Sequence, residues 1–176
     1  MPEKKSKNKS TDYENVAAIV SDAGGRIVGR TRLQKVAYLL ELSGLGSGFA
    51  FSYHRFGPYS EELNIASQMG SFFGVLVEEE KPTSWGGNFS IYSSKRKTTS
   101  NGLKREFIRF ASVADPVELE LAATAAFLAV DGFTNPWAET AKRKQDKSAN
   151  GRLEKARELY SKLQGFEVPK RLPHLV

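Results

Sequence analysis

Apolar positions recur along this chain at intervals of three and four residues, the spacing of a helix that buries one face. Seven stretches follow the pattern, and they predict helices over residues 12–23, 31–42, 61–73, 98–112, 116–130, 137–144 and 151–163. Ser60 and Asp115-Pro116 are residue types that begin helices, and Gly24-Gly25 ends the first one. The run from Leu119 to Val130 is apolar on nearly all sides, so this helix is central or forms an interface.

The segments between the helices predict short extended structure. Three glycines within residues 43–48 end the second helix, because an interior glycine costs about 1 kcal/mol relative to alanine. Aromatic residues from Phe49 to Phe56 favour one extended segment, which Gly57-Pro58 breaks. Residues 75–80 and 88–92 flank a connection rich in turn formers, so they predict a β-hairpin with a mobile tip.

Two helices joined by one specified turn, followed by a hairpin, are typical of a winged helix-turn-helix. We therefore expect a mainly α (α+β) fold, a winged helix-turn-helix with a small β-hairpin wing and a C-terminal helical extension. The expected units are a basic flexible tail over residues 1–10, a winged-helix-like domain over 11–112, a helical subdomain packed on it over 113–165, and an irregular tail over 166–176. On this interpretation Gly57, Pro58, Tyr59 and Ser60 are structural, since they set the entry angle of the third helix.

The composition argues against metal sites, cofactors and catalysis, but it does not identify a partner. The chain has no cysteine and only two histidines, His54 and His174, in no spacing that holds a metal, so we expect no metal and no cofactor. No serine lies in a Gly-x-Ser-x-Gly elbow and no glycine run forms a phosphate loop, which argues against an enzyme. The N-terminus has no apolar core after its charges, so we expect a cytoplasmic protein that does not bind membranes.

Basic residues outnumber acidic ones, 26 to 20, and the resulting charge of +6 permits nucleic acid or an acidic protein as a partner. We expect a DNA-binding face to draw on the second helix, the wing and the segment after it. Its candidate residues are Arg26, Arg30, Arg32, Lys35, Lys81, Trp85, Lys95, Arg96, Lys97, Lys104 and Arg105.

Two aromatic positions have competing interpretations. Trp85, in the hairpin tip, suits stacking on a base or a partner, or it folds back on the domain. His54 is a functional contact, or a packed and hydrogen-bonded residue among the aromatics around it.

The third helix is a poor candidate for reading the DNA major groove. Its first residues include Glu61 and Glu62, and no lysine or arginine occurs from Tyr59 to Phe73. Carboxylates directed at phosphates are unfavourable, so these two glutamates are instead candidates for a protein interface. The pattern assigns Leu63, Ile65, Ala66, Met69, Phe72 and Phe73 to the buried side of this helix.

The stretches from Gly29 to Leu40 and from Phe56 to Ser60 resemble the YwgA-like group of uncharacterised bacterial and phage-associated proteins. They resemble Panacea-type antitoxins more loosely, through a Leu-Gln-Lys helix and a Gly-Pro turn. The latter likeness implies neutralisation of a toxin by protein contact. Neither likeness implies a catalytic residue.

Two functions remain open at this point. One is a non-enzymatic winged-helix regulator that associates with DNA with weak sequence specificity, alone or as a homodimer. The other is an antitoxin-like or complex-forming protein-interaction module of a toxin-antitoxin or phage-defence system.

Overall fold

The computed structural model describes residues 9–97 and 100–176. Its helices are α1 (Lys9–Asp22), α2 (Arg30–Leu42), α3 (Glu61–Phe72), α4 (Gly102–Ser112), α5 (Pro116–Val130), α6 (Pro136–Arg143), α7 (Gln145–Ser148) and α8 (Arg152–Gln164). Its strands are β1 (Arg26–Val28), β2 (Ser52–His54), β3 (Gly57–Tyr59), β4 (Val77–Pro82) and β5 (Asn88–Ser93). Most of the tail predicted over residues 1–10, and residues 98 and 99 of the predicted fourth helix, lie outside the described residues.

Polar side chains begin four of the helices. The side chains of Ser60, Asn101, Asp115 and Asn135 each accept a hydrogen bond from a backbone N–H in the first turn of α3, α4, α5 and α6 respectively. Such caps satisfy amides that have no partner inside the helix, each worth about 1 kcal/mol. The predicted start at Asp115-Pro116 is therefore confirmed, as is the cap at Ser60.

The larger sheet is antiparallel and has the strand order β1-β5-β4. In β5, Ile91 lies opposite Val28 of β1 and Glu79 of β4. The predicted β-hairpin is confirmed, with β4 and β5 extending from the Val77–Ser93 pair to the Pro82–Asn88 pair. The fold is thus α+β.

Strands β2 and β3 follow α2 and precede α3 in the chain, and they form a second, two-stranded sheet. The prediction of a single extended segment ended by Gly57-Pro58 is wrong, because these two residues themselves form β3 and pair with Tyr53 and His54. Gly57 has a φ of 86°, which residues with a side chain rarely adopt. A Cβ at this position would lie 2.5 Å from the Thr124 hydroxyl of α5, so glycine also permits the close approach of the hairpin to α5.

The hydrophobic core is continuous and α5 runs through it. Leu119, Leu121 and Leu128 of α5 are at most 1% exposed, and α5 contacts α2, α6 and α8. Of the two interpretations of this apolar helix, the central position is confirmed. None of the described helices is long and apolar enough to cross a membrane.

The C-terminal segment after α8 has no regular secondary structure, and it packs on the helices. The Phe166 ring lies 5.3 Å from the Phe107 ring of α4. The Tyr160 hydroxyl donates a hydrogen bond to Pro173 O at 2.7 Å, and Lys170 N donates to Ser43 O at 3.0 Å. These contacts attach the segment to α2, α4 and α8.

Candidate functional site

The two stretches that carry the family resemblance, residues 29–40 and 56–60, are joined by hydrogen bonds. Gln34 of α2 pairs with both backbone groups of Ser60, its Nε2 donating to Ser60 O at 2.9 Å and its Oε1 accepting from Ser60 N at 2.8 Å. Lys35 Nζ donates to Pro58 O at 2.8 Å. The Gln34 amide therefore satisfies both backbone groups of Ser60, as a paired β-strand would. Through Gln34 and Lys35, α2 holds both the Gly57-Pro58 segment and the start of α3.

Lys35 does not lie on an accessible basic face. Its side chain is 1% exposed, so the prediction that it contacts DNA phosphates is wrong for this conformation. Burial lowers the pKa of the Lys35 ammonium from 10.5 to about 7, partly opposed by the carboxylate of Glu120 and reinforced by Lys144 and Lys147. Lys35 is thus a buried group of the turn, with a charge that changes near neutral pH.

A buried charge cluster lies beside Lys35, and the sequence analysis did not find it. Glu120 Oε1 of α5 forms an ion pair with Lys144 Nζ at 2.9 Å, and Glu120 Oε2 accepts a hydrogen bond from Lys147 Nζ at 2.6 Å. The side chains of Glu120 and Lys144 are only 4% and 7% exposed. Lys144 also donates to Arg55 O, next to the Gly57 turn. Glu120, the one carboxylate within the apolar run of α5, was the sequence signal for this cluster, because a buried acid requires a charged partner.

The two arginines at the start of α2 have different surroundings. Arg30 Nη2 lies 3.2 Å from Glu78 Oε1 and 3.8 Å from Glu80 Oε1, so the acids of β4 offset its charge. Arg32 Nη2 donates to Ala114 O at 3.1 Å, and Arg32 shares a surface cleft with Trp85 and Pro116. Arg30 is therefore exposed but paired with carboxylates, whereas Arg32 has no described ion pair but is half-buried, which lowers the pKa of its guanidinium.

The other basic candidates do not form one surface. Arg26 lies opposite Ser93, so Lys95, Arg96 and Lys97 follow at the base of the hairpin. Lys81 pairs with Phe89 near the tip, four residues along the strands from the Val77–Ser93 pair, which is about 13 Å at roughly 3.3 Å per residue. Lys104 and Arg105 are partly buried on α4. The structure thus brings Arg32 and Trp85 together, and it separates both from the basic segment after β5.

The outer face of α3 differs from its prediction. Leu63 and Ala66 are buried as expected, but Ile65 is 49% exposed, Met69 37%, Phe72 81% and Phe73 54%. Assigning these four to the core is wrong. Ile65, Met69 and Phe72 follow one another at intervals of four and three residues, and the Phe73 ring lies 5.2 Å from the Phe72 ring. The four side chains therefore form a single stripe, which we call the α3 apolar stripe. Glu61 and Glu62 are exposed at the N-terminal end of α3.

His54 is hydrogen-bonded and contacts an aromatic ring, as one of its two interpretations predicts, but it is exposed and not buried in the core. Its ring lies 4.8 Å from the Tyr59 ring, and its Nε2 is 3.1 Å from Ser52 Oγ. Trp85 is 85% exposed at the hairpin tip, so it has not folded into the domain.

No protein-family model matches the chain. Over 91 residues the chain is 32% identical to the uncharacterised protein YwgA of Bacillus subtilis (strain 168). The match covers 51% of the chain and 52% of that relative, so the chain spans about half the length of the curated relative it matches. This distant similarity supports the resemblance to YwgA-like proteins and does not support the one to Panacea-type antitoxins.

Proposed function

We propose that this chain is a protein-interaction module with a winged-helix frame, and that the outer face of α3 binds its partner. The α3 apolar stripe is the observation that carries the proposal. Exposed apolar side chains scattered singly are normal on a protein surface, but a contiguous set marks an interaction site. The stripe is such a contiguous set of two phenylalanines, a methionine and an isoleucine, and Phe72 is the most exposed of them at 81%.

The order of the elements supports the winged-helix frame. Strand β1 lies between α1 and α2 in the chain and pairs with the second strand of the hairpin that follows α3. A winged helix places its strands in this way, and α3 then stands where a DNA-binding member of the class has its recognition helix. The β2–β3 hairpin is an addition between α2 and α3.

The chemistry of α3 favours protein over DNA as the occupant of that position. A helix in the major groove is usually met by phosphates on both sides, and it presents polar or basic side chains to them. Residues 56–80 contain five glutamates and no lysine or arginine. The complementary partner surface is one that combines apolar side chains with lysine or arginine.

Site-specific photocrosslinking tests the proposal. A photoreactive phenylalanine analogue at position 72 is expected to form an adduct with one defined protein in the source cells. The purified partner should then bind the Phe72→Ser variant at least about tenfold more weakly than the wild type, as expected for an aromatic residue at the centre of an interface. Because Phe72 is 81% exposed, the variant should fold normally.

Val130→Ser is the matched control, since Val130 is 61% exposed on α5, away from the stripe. This variant should bind the partner as the wild type does. Equal affinity of the wild type and Phe72→Ser would contradict the proposal. A crosslink to a second copy of the chain would identify the stripe as a homodimer interface instead. A toxin is the partner that the antitoxin likeness would imply, and the same crosslink would identify it.

A second candidate function is weak nucleic-acid binding through the wing, for which the exposed Trp85 is the specific observation. Trp85 and Arg32 line one cleft of about 480 Å³, so a base stacked on the indole would have a guanidinium near its phosphate. Titration with DNA at low and moderate salt tests this function. We expect Trp85→Ala and Arg32→Ala to weaken any binding, and no binding at low salt would refute it.

A further inference from the structure

A cavity of about 390 Å³ lies between the first turn of α2 and the β2–β3 hairpin, on a different part of the molecule from the α3 apolar stripe. Its volume falls within the range of small-molecule sites. Its walls are formed by Arg30, Thr31, Gln34, Lys35, His54, Arg55, Phe56, Gly57 and Tyr59.

The lining of this cavity is basic. It contains two arginines, a lysine and a histidine, and no aspartate or glutamate. Arg30 contributes least, because Glu78 and Glu80 offset its charge. Arg55 is left as the principal exposed cation, because Lys35 lines the cavity with only 1% of its surface exposed. The N-terminal turn of α2, the positive end of the helix dipole, also lines the cavity.

Lys35 retains hydrogen-bonding capacity although it is 1% exposed. Among the described contacts its ammonium has one acceptor, Pro58 O, whereas an ammonium carries three donors. When Lys35 is protonated, its positive charge and its remaining donors favour an anion in the cavity. Gln34 has less capacity, because Ser60 occupies its amide oxygen and one of its two N–H groups.

The rest of the wall is aromatic and suits a flat organic group. The rings of His54 and Tyr59 are 4.8 Å apart, and the Arg55 guanidinium lies 5.4 Å from the centre of the Phe56 ring. Phe56 is 45% exposed, and Lys147 Nζ lies 4.7 Å from the centre of its ring. Stacking of a planar group on such rings adds affinity whatever hydrogen-bonding groups the planar group carries.

We propose that this cavity binds a phosphate monoester that carries a planar organic group, a ligand of the size and chemistry of a mononucleotide. The phosphate lies between Arg55 and the first turn of α2, close to the buried Lys35, and the planar group lies against Phe56 and the His54–Tyr59 pair. A phosphate suits this place because lysine, arginine and helix N-termini all bind its oxygens.

Isothermal titration calorimetry with AMP, GMP, inorganic phosphate and adenosine tests the site. We expect AMP or GMP to bind, adenosine to bind at least about tenfold more weakly, and phosphate alone to bind weakly because it lacks the stacked group. Arg55→Ala should weaken nucleotide binding about tenfold. Arg152→Ala is the matched control, an exposed arginine on α8 that does not line the cavity, and should not change the affinity.

Amide chemical shifts locate the ligand independently of any variant. On titration with AMP the amides of Arg30, Thr31 and residues 54–57 should shift together. Absence of saturable binding, equal affinity for adenosine, an equal effect of Arg152→Ala, or shifts confined to other residues would each overturn the proposal. Phe72→Ser should leave nucleotide binding unchanged, so failure of this proposal is distinguishable from failure of the interaction surface.

Discussion

The pH dependence of stability offers the sharpest test of the buried Lys35. Burial lowers the pKa of its ammonium to about 7 in the folded protein, against 10.5 for an exposed lysine, the value expected in the unfolded chain. Between these two values the unfolded chain holds a proton that the folded protein has released. The free energy of unfolding therefore rises with pH across this interval, and the penalty for charging Lys35 is fully present below pH 7.

The size of the effect follows from the same two values. Each pH unit between them adds up to about 1.4 kcal/mol, so going from about pH 7.5 to about pH 9.5 should stabilise the protein by roughly 2–3 kcal/mol. Tyr38 and Tyr160 set the upper limit of the measurement. Burial raises the pKa of both phenols above 10, so the stability they contribute is present below pH 10 and is lost above it.

Urea unfolding followed by circular dichroism at the two pH values measures this rise. Replacing the lysine by methionine, Lys35→Met, should abolish it, because the variant has no group to titrate. Lys155→Met, at an exposed position on α8, should retain the wild-type rise. A wild-type stability that stays level or falls over this interval would refute the reasoning, even if Lys35→Met does not fold.

Two further variants test the groups around Lys35 by urea unfolding. Glu120→Gln should lower the free energy of unfolding by about 3–5 kcal/mol, because it leaves buried lysines without their carboxylate. Glu139→Gln should lower it by less than about 1 kcal/mol, because the side chains of the Glu139–Arg143 ion pair are 23% and 33% exposed. Equal losses would refute the burial argument. Gly57→Ala should cost more than Gly74→Ala, since both glycines have positive φ but only Gly57 faces the Thr124 hydroxyl, and the reverse order would contradict it.

The local elements of this fold were predictable because their signals are local. Ser60 and Asp115 have the chemistry of helix caps, and the turn formers between β4 and β5 identify a hairpin. The β2–β3 hairpin was missed because β3 contains a glycine and a proline, residue types that usually end strands. Gly57 and Pro58 are accommodated there by contacts with α2 and α5, which lie far away in the sequence.

The errors in the candidate site have the same origin. Lys35 and the apolar residues of α3 were assigned to faces by periodicity, which gives the orientation of side chains about a helix but not what covers them. Lys35 is buried because the β2–β3 hairpin and α5 cover that side of α2. Phe72 is exposed because α3 packs chiefly on α1 and nothing described covers its other side. Both outcomes depend on non-local packing.

The pairing of Gln34 with Ser60 has a consequence for how such a protein can diversify. Because α2 holds the start of α3 through backbone atoms, the side chains on the outer surface of α3 are not needed to place that helix. If α3 binds a partner as proposed, substitutions there would change what the helix recognises at little cost to folding, whereas substitutions at Gln34 would disturb the start of the helix. Relatives could therefore share one scaffold and differ in partner, and exchanging the outer residues of α3 between them should exchange their specificity.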